Sequence, residues 1–165
     1  MESIKDKVAI VGMGCTKFGE LWDKSPEDLI IDAAYEAYQD AGIDPGDIQA
    51  AWVGTLRTGE AGVVLADPLK LKNIPIVRVE NWCSTGHEAL RNACFAVAAG
   101  VYDLVLALGF EKLKDTGFGG LGVGRGTHPV YQARQTAPGY FALIATRYFY
   151  HYGIPVEEGK RILAK

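Results

Sequence analysis

The sequence has no apolar run approaching the ~20 residues a membrane-spanning helix requires. Its opening, MESIKDKVAIVGMG, lacks the apolar core and small-residue cleavage site of a secretory signal. It has no basic excess either: 17 Lys and Arg stand against 20 Asp and Glu, for a net charge of −3. With both signs interspersed there is no electrostatic footprint for nucleic acid. Cysteine is scarce, odd in number and widely spaced (Cys15, Cys83 and Cys94), with no C-x-x-C grouping. That excludes a disulfide framework and points to reduced thiols in the cytoplasm. The three histidines, His87, His128 and His151, show no metal-ligand spacing, and no metal is expected.

What is present is a chain of 165 residues, 48% hydrophobic and 22% charged, with 20 glycines. Such a composition fits one globular domain or a piece of a larger fold. The elements alternate. KVAIVGMG (7–14) is a short continuous apolar run of the kind buried on both faces of a parallel sheet, and it is expected to be a strand. A helix follows in SPEDLIIDAAYEAYQDAG. Ser25 is its N-cap, Pro26 its first residue and Gly42 its C-terminal cap, with Leu29, Ile30, Ala33, Ala34, Ala37 and Ala41 at helical spacing. DIQAAWVGT (47–55) and IPIVRVE (74–80) read as further strands. Between them AGVVLADPLKLKN holds a short helix or an irregular crossover, because Pro68 opposes a long one. A helix from about Ser84 to Ala99 and a strand over 103–111 complete an alternating pattern, which implies a parallel sheet covered by helices.

After Glu111 the character changes. DTGFGGLGVGRGTHPV (115–130) has no apolar periodicity and reads as a mobile glycine-rich loop. APGYFALIATRYFYHYG (137–153) is a helix apolar on most of its circumference, closed by Gly153 and Pro155, and it needs cover on several sides. VEEGKRILAK begins another helix without a C-cap, as expected of the N-terminal portion of a longer protein. The division expected is 1–111 for the α/β core and 112–165 for the start of a second region.

GMGCTKFG supplies only part of a dinucleotide fingerprint: Gly12 and Gly14 fit, but Lys17 stands at the third glycine. The plainer reading is a turn leaving a buried strand. Cys15 and Cys94 are expected to be core residues. Cys83 differs by position. It follows the strand-like VRVEN and precedes Ser84, Thr85 and Gly86, residues able to cap a helix whose interior is Ala89, Leu90, Ala93, Cys94 and Val97. A thiol at a helix start faces unpaired N–H groups and the positive end of the dipole, both of which favour thiolate. The same N–H groups can stabilise an oxyanion on a thioester carbonyl. Gly86 would let backbone or ligand approach closely. On the residues alone, a nucleophile and a small buried hydrophobe both fit Cys83. His87, one turn on, could contact the thiolate or line a pocket; a solvated or packed helical histidine is the plainer reading.

The order strand, NWCSTGHEALRNA, then AGVYDLVLALGFEKL resembles the N-terminal half of the thiolase family, in which a Cys-x-Ser/Thr-Gly turn opens a buried helix. VAIVGMGCTKFGE, VENWCSTG and ATRYFYHYGIPVEEGKRILAK are most similar to its sterol-carrier and lipid-transfer branch. The resemblance covers essentially the whole chain. It implies a mixed, mainly parallel sheet flanked by helices, with the start of a loop domain from about Lys112. It further implies an acyl-CoA C-acyltransferase in which Cys83 accepts the acyl group, with coenzyme A thioesters as substrates and no permanently bound cofactor. A homodimer or tetramer is implied for the full-length protein. The family's activating histidine, Asn element and second cysteine belong to its other half, so the isolated chain is expected to lack turnover. Thr127-His128-Pro129 lies in the wrong half for the Gly-His-Pro role. Two alternatives keep the fold: a lipid-transfer-type retro-aldolase with a small zinc-ribbon/OB-fold partner, and a non-catalytic scaffold subunit.

Overall fold

The computed structural model describes residues 3–115, 117 and 136–164, which fall into two compact units, 1–116 and 117–165. The first helix, α1 (Pro26–Ala41), forms where the sequence places it. Ser25 and Asp28 complete a reciprocal capping box, and Gly42 closes the helix in the left-handed region at φ 68°. Its buried stripe is Ile30, Ala34 and Tyr38, one residue per turn.

Tyr38 extends that stripe beyond the aliphatic positions. It is 3% exposed, and among the described residues its hydroxyl has no hydrogen-bond partner. Burial, with a smaller contribution from Tyr35, pushes the phenol up to about 12 from its ordinary 10.0. The folded protein therefore keeps this proton where the unfolded chain loses it, and the associated stability is lost as pH rises from about 10 to about 12. Tyr38→Phe removes an unpaired buried hydroxyl. It is expected to stabilise the protein by on the order of 1 kcal/mol near neutral pH and to lessen the alkaline loss. Thermal unfolding across pH checks both.

Among the described residues, three strands form one sheet in the order β2-β1-β3: β1 (Ala50–Gly54), β2 (Ile76–Val79) and β3 (Val105–Gly109). Both pairings are parallel, with Ala51 opposite Ile76 and Leu106. Crossovers are supplied by α2 (Val63–Leu69) and α3 (Thr85–Ala98). Pro68 is accommodated in the last turn of α2, which ends at Lys70 with φ 55°. Parity along the strands separates two faces. Ala51, Val53, Leu106 and Leu108 join Ile30, Ala34, Leu65 and Leu69 in the core beneath α1 and α2. Gly54 and Gly109 turn to the other face, against the start of α3. The arrangement is a sheet between two helical layers, which bears out the α/β reading.

The expected strand at 7–14 is not formed: no regular structure is present there, and Ile10, Val11 and Met13 are 63%, 57% and 69% exposed. Among the described residues the sheet stops at β3, so the run has no strand there to pair with. It lies instead on α1. A Cβ on Gly12 would stand 2.3 Å from the Ala37 carbonyl oxygen, and one on Gly14 2.0 Å from that of Ala33. These glycines serve close backbone approach rather than a turn. Two residues of the segment match four of the helix, about 6 Å of rise, so the segment is extended at about 3 Å per residue. Cys15, at its end, is exposed, which overturns its assignment to the core; Cys94 is half-buried.

In the second unit, α4 (Ala137–Tyr152) is capped by Thr136 and by Gly153 at φ 63°. The segment predicted to begin a helix forms α5 (Val156–Leu163). Gly159 of α5 lets the Phe149 ring pack where a Cβ would fall 2.4 Å from it. Phe141, Leu143 and Ile144 of α4 are exposed. Most of the glycine-rich run, with Thr127, His128 and Pro129, lies outside the described residues. None of the described helices is long and apolar enough to cross a membrane.

Candidate active site

In a parallel sheet, ligand-binding groups gather at the carboxyl ends of the strands. Here those ends are shaped by two glycines side by side in register, Gly54 and Gly109. A Cβ on Gly54 would lie 2.9 Å from the Thr85 carbonyl oxygen, and one on Gly109 3.7 Å from the Cα of Gly86. The missing side chains let the first turn of α3 sit directly on the sheet.

Between β2 and α3 the chain makes a tight turn, a 3-10 helix over Trp82–Ser84. Trp82 has φ 49°, a left-handed conformation that is strained for a bulky aromatic residue. Hydrogen bonds hold the strain in place. The Trp82 amide donates to Glu80 Oε1 at 2.6 Å. The Thr85 hydroxyl accepts from the Asn81 amide at 2.8 Å and donates to the Trp82 carbonyl at 2.6 Å. Ser84 donates to the Asn81 carbonyl through its amide at 3.0 Å and its hydroxyl at 2.8 Å. Ser84 and Thr85 therefore tie the turn together, and neither hydroxyl caps the helix as the sequence suggested. The 3-10 turn already places their oxygens toward the preceding segment.

Cys83 rides on the outside of this turn. It is exposed, and among the described residues neither its thiol nor its amide N–H has a hydrogen-bond partner. His87 is also exposed, and no hydrogen bond joins it to Cys83. Gly86 is open, with nothing within 4 Å of a Cβ built on it, so the protein's own packing does not require glycine there. Glu88 braces the turn from the first turn of α3, accepting from Asn81 Nδ2 at 3.3 Å. The hydrogen bond from Arg91 holds its carboxyl below the usual carboxylate range, aided by Asn81 and Asn92.

Sequence reasoning assigned no role to a second support. Glu111, just past β3, accepts from the amides of Leu56 at 2.7 Å and Thr58 at 2.8 Å, from the Arg57 amide at 3.2 Å, and from the Thr58 hydroxyl. From the other side Arg78 of β2 donates to the carbonyls of Thr55 at 2.9 Å, Leu56 at 3.1 Å and Gly59 at 2.9 Å. The loop after β1 is thus gripped by its amides and its carbonyls. An arginine inside the apolar IVRVE and a glutamate closing an apolar strand were the available signals. Glu111→Ala orphans several amides at once and is expected to destabilise the first unit by on the order of 3 kcal/mol, read by chemical denaturation. Among the described residues no three His, Cys, Asp or Glu side chains group as a metal site.

Comparison with known proteins gives this geometry a lineage. The family model for the N-terminal domain of thiolase matches residues 8–119. The acetyl-CoA acetyltransferase of Methanothermobacter thermautotrophicus is 37% identical over 159 residues, covering 92% of this chain and 42% of that protein. Sterol carrier protein 2 of Bos taurus is 35% identical over 116 residues, covering 67% of this chain and 21% of that protein. Among solved structures, an acetyl-CoA acetyltransferase from Syntrophomonas wolfei superposes with a TM-score of 0.51 at 28% identity, covering 56% of this chain and 26% of that one. The Ltp2-ChsH2(DUF35) aldolase shares the fold at a TM-score of 0.63 and 21% identity, over 88% of this chain and 38% of that one. This chain spans about two fifths of the length of the archaeal acetyltransferases it matches. With a family match that runs from the extended segment on α1 through the Cys83 turn and past β3, the chain belongs to the thiolase family.

Proposed function

We propose that the protein works as a thiolase-type acyl-CoA C-acyltransferase in which Cys83 carries the acyl group. The observation that supports this most is the placement of Cys83: an exposed thiol on a strained, hydrogen-bonded turn, at the start of α3 and above the carboxyl ends of the sheet. The thiolate sulfur attacks the carbonyl carbon of an acyl-CoA thioester. The carbonyl oxygen takes up the negative charge, and the Cys83 amide, unpaired among the described residues, is a donor for it. Collapse of the tetrahedral species breaks the bond to coenzyme A sulfur, and the departing thiolate takes a proton. The acyl group is left as a thioester on Cys83. In the second half-reaction the α-carbon of another acyl-CoA, once deprotonated, attacks that thioester; a carbon–carbon bond forms and the Cys83 sulfur leaves.

The pinned loops fix the position of the nucleophile, which is how a scaffold contributes to such a step. Bases that deprotonate the α-carbon are assigned to the portion of the relatives that this chain does not span. The chain alone is therefore expected to accept an acyl group without sustaining turnover. Coenzyme A thioesters are the substrates, with no resident cofactor. The test is peptide mass spectrometry after incubation with acetyl-CoA. An acetyl adduct on the Cys83 peptide, absent from Cys83→Ala, is expected; no adduct on either the chain or a complete enzyme containing it would sink the reading.

A further inference from the structure

The turn that carries Cys83 has four successive amides, and three are engaged. Trp82 donates to Glu80 Oε1 at 2.6 Å, Ser84 to the Asn81 carbonyl at 3.0 Å, and Thr85 to the Trp82 carbonyl. Among the described residues the Cys83 amide has no partner. Its direction is nonetheless fixed. The peptide joining Trp82 to Cys83 is trans, so its N–H points opposite to its carbonyl within one rigid plane. Whatever holds the Trp82 carbonyl therefore aims the Cys83 N–H. Thr85 holds that carbonyl twice, through its amide and through its hydroxyl, which donates at 2.6 Å. The same hydroxyl accepts from the Asn81 amide at 2.8 Å. A relay results: Asn81 N–H, Thr85 O–H, Trp82 carbonyl and, across the conjugated peptide, the Cys83 N–H.

We infer that Thr85 is a positioning residue for acyl transfer: its hydroxyl aims and polarises the Cys83 amide toward the point where a thioester oxygen gains negative charge. The inference rests on Cys83 as the acyl carrier. Thr85 forms and breaks no covalent bond in the step; it acts through the Trp82–Cys83 peptide. Hydrogen bonds in series polarise one another, and a carbonyl that accepts two of them leaves its peptide N–H a stronger donor. Thr85 is 7% exposed, so little water competes for these bonds. A threonine serving only as a cap gives its hydroxyl oxygen to an amide of its own helix. Here the hydroxyl faces back into the turn. The far end of the relay is anchored too, because Glu88 Oε1 accepts from Asn81 Nδ2 at 3.3 Å. The left-handed Trp82, at φ 49°, lies within the relay, and strain of that kind persists where surrounding bonds over-determine it. A donor aimed before the reaction begins needs no reorganisation as charge develops, which is where such donors gain their effect.

The test compares Thr85→Val and Thr85→Ser with the parent 165-residue chain, using two reagents at Cys83. Acetyl-CoA reacts through an oxyanion, whereas iodoacetamide reacts by displacement at carbon and forms none. Deleting an oxyanion donor costs about 10²–10³-fold, and a donor kept but loosened loses part of that. Thr85→Val is therefore expected to slow acetylation about tenfold and leave alkylation at the parent rate, while Thr85→Ser restores acetylation. The nitrogen resonance of the Cys83 amide, which senses hydrogen bonding at the preceding carbonyl, is expected to move in Thr85→Val and not in Thr85→Ser. Equal slowing of both reagents, an unmoved Cys83 resonance in Thr85→Val, or failure of serine to restore acetylation would overturn the proposal. A parent chain that takes up no acetyl counts against the acyl-carrier reading instead, and the amide resonance then decides alone whether Thr85 aims Cys83. Should Thr85→Val not fold, the parent decides: a Thr85 hydroxyl proton held in this relay exchanges slowly enough to be seen by NMR, and its absence overturns the role.

Discussion

Cys83→Ala is expected to reduce the proposed acyl transfer by on the order of 10⁴-fold or more in a complete enzyme containing this chain, and to leave the fold of this chain intact. The two halves of that expectation come from the same observation. Because the thiol is exposed and makes no hydrogen bond among the described residues, its removal opens no cavity and orphans no partner. Stability should change by no more than about 0.5 kcal/mol, the usual range for a surface site. Because no second thiol stands on the turn, nothing replaces the sulfur in forming a thioester. The Ser84 hydroxyl, the nearest in sequence, is committed to the Asn81 carbonyl at 2.8 Å. Cys83→Ser preserves shape and tests the same point: an alcohol is a weak acceptor without a base beside it, and His87 makes no hydrogen bond to this position. Activity assays with acetyl-CoA, paired with thermal unfolding of each variant, separate loss of chemistry from loss of structure. A Cys83→Ala enzyme that retained carbon–carbon bond cleavage would point to aldolase chemistry on the same fold.

The parts of this molecule that were legible in the sequence are those decided by local interactions. Ser25, Pro26 and Gly42 specify the ends of α1 because caps are satisfied within four residues. The turn carrying Cys83 was visible for the same reason: a strand-like run, small polar residues and an alanine-rich helix stand in succession. What could not be read depends on partners distant in sequence. Glu111 and Arg78 act on a loop some 20 to 55 residues away, and no periodicity encodes that meeting. Tyr38 lies on the buried stripe of α1, yet a tyrosine is amphipathic and its position alone does not say which end prevails. The run at 7–14 is the most instructive difference. Its composition is that of a strand buried on both faces, and that preference is unmet because β3 ends the sheet among the described residues. Cys15 follows it into solvent.

Gly54→Val is expected to have the largest effect on stability, about 3 kcal/mol or more, and to disturb Cys83 from a distance. Valine suits an extended backbone, so intrinsic preference favours the substitution. The cost is steric alone. The new Cβ would lie 2.9 Å from both the Thr85 Cγ2 and the Thr85 carbonyl oxygen, and 3.2 Å from its carbonyl carbon. Strand β1 cannot retreat, being paired on both sides. Thr85 is buried and holds the Asn81–Trp82 turn through two hydrogen bonds. Lifting Thr85 therefore loosens the turn on which Cys83 rides, and acylation should fall in the fraction of protein that remains folded. Gly86→Ala is the matched control. It sits one residue further on, where a Cβ meets nothing within 4 Å, and inside a helix alanine is favoured over glycine by about 1 kcal/mol. Urea denaturation should show Gly86→Ala equal to or more stable than the parent, and Gly54→Val much less stable. If Gly86→Ala slows acylation while raising stability, the open face of that glycine is where the thioester approaches, and the two glycines divide cleanly into one that seats the helix and one that admits the substrate.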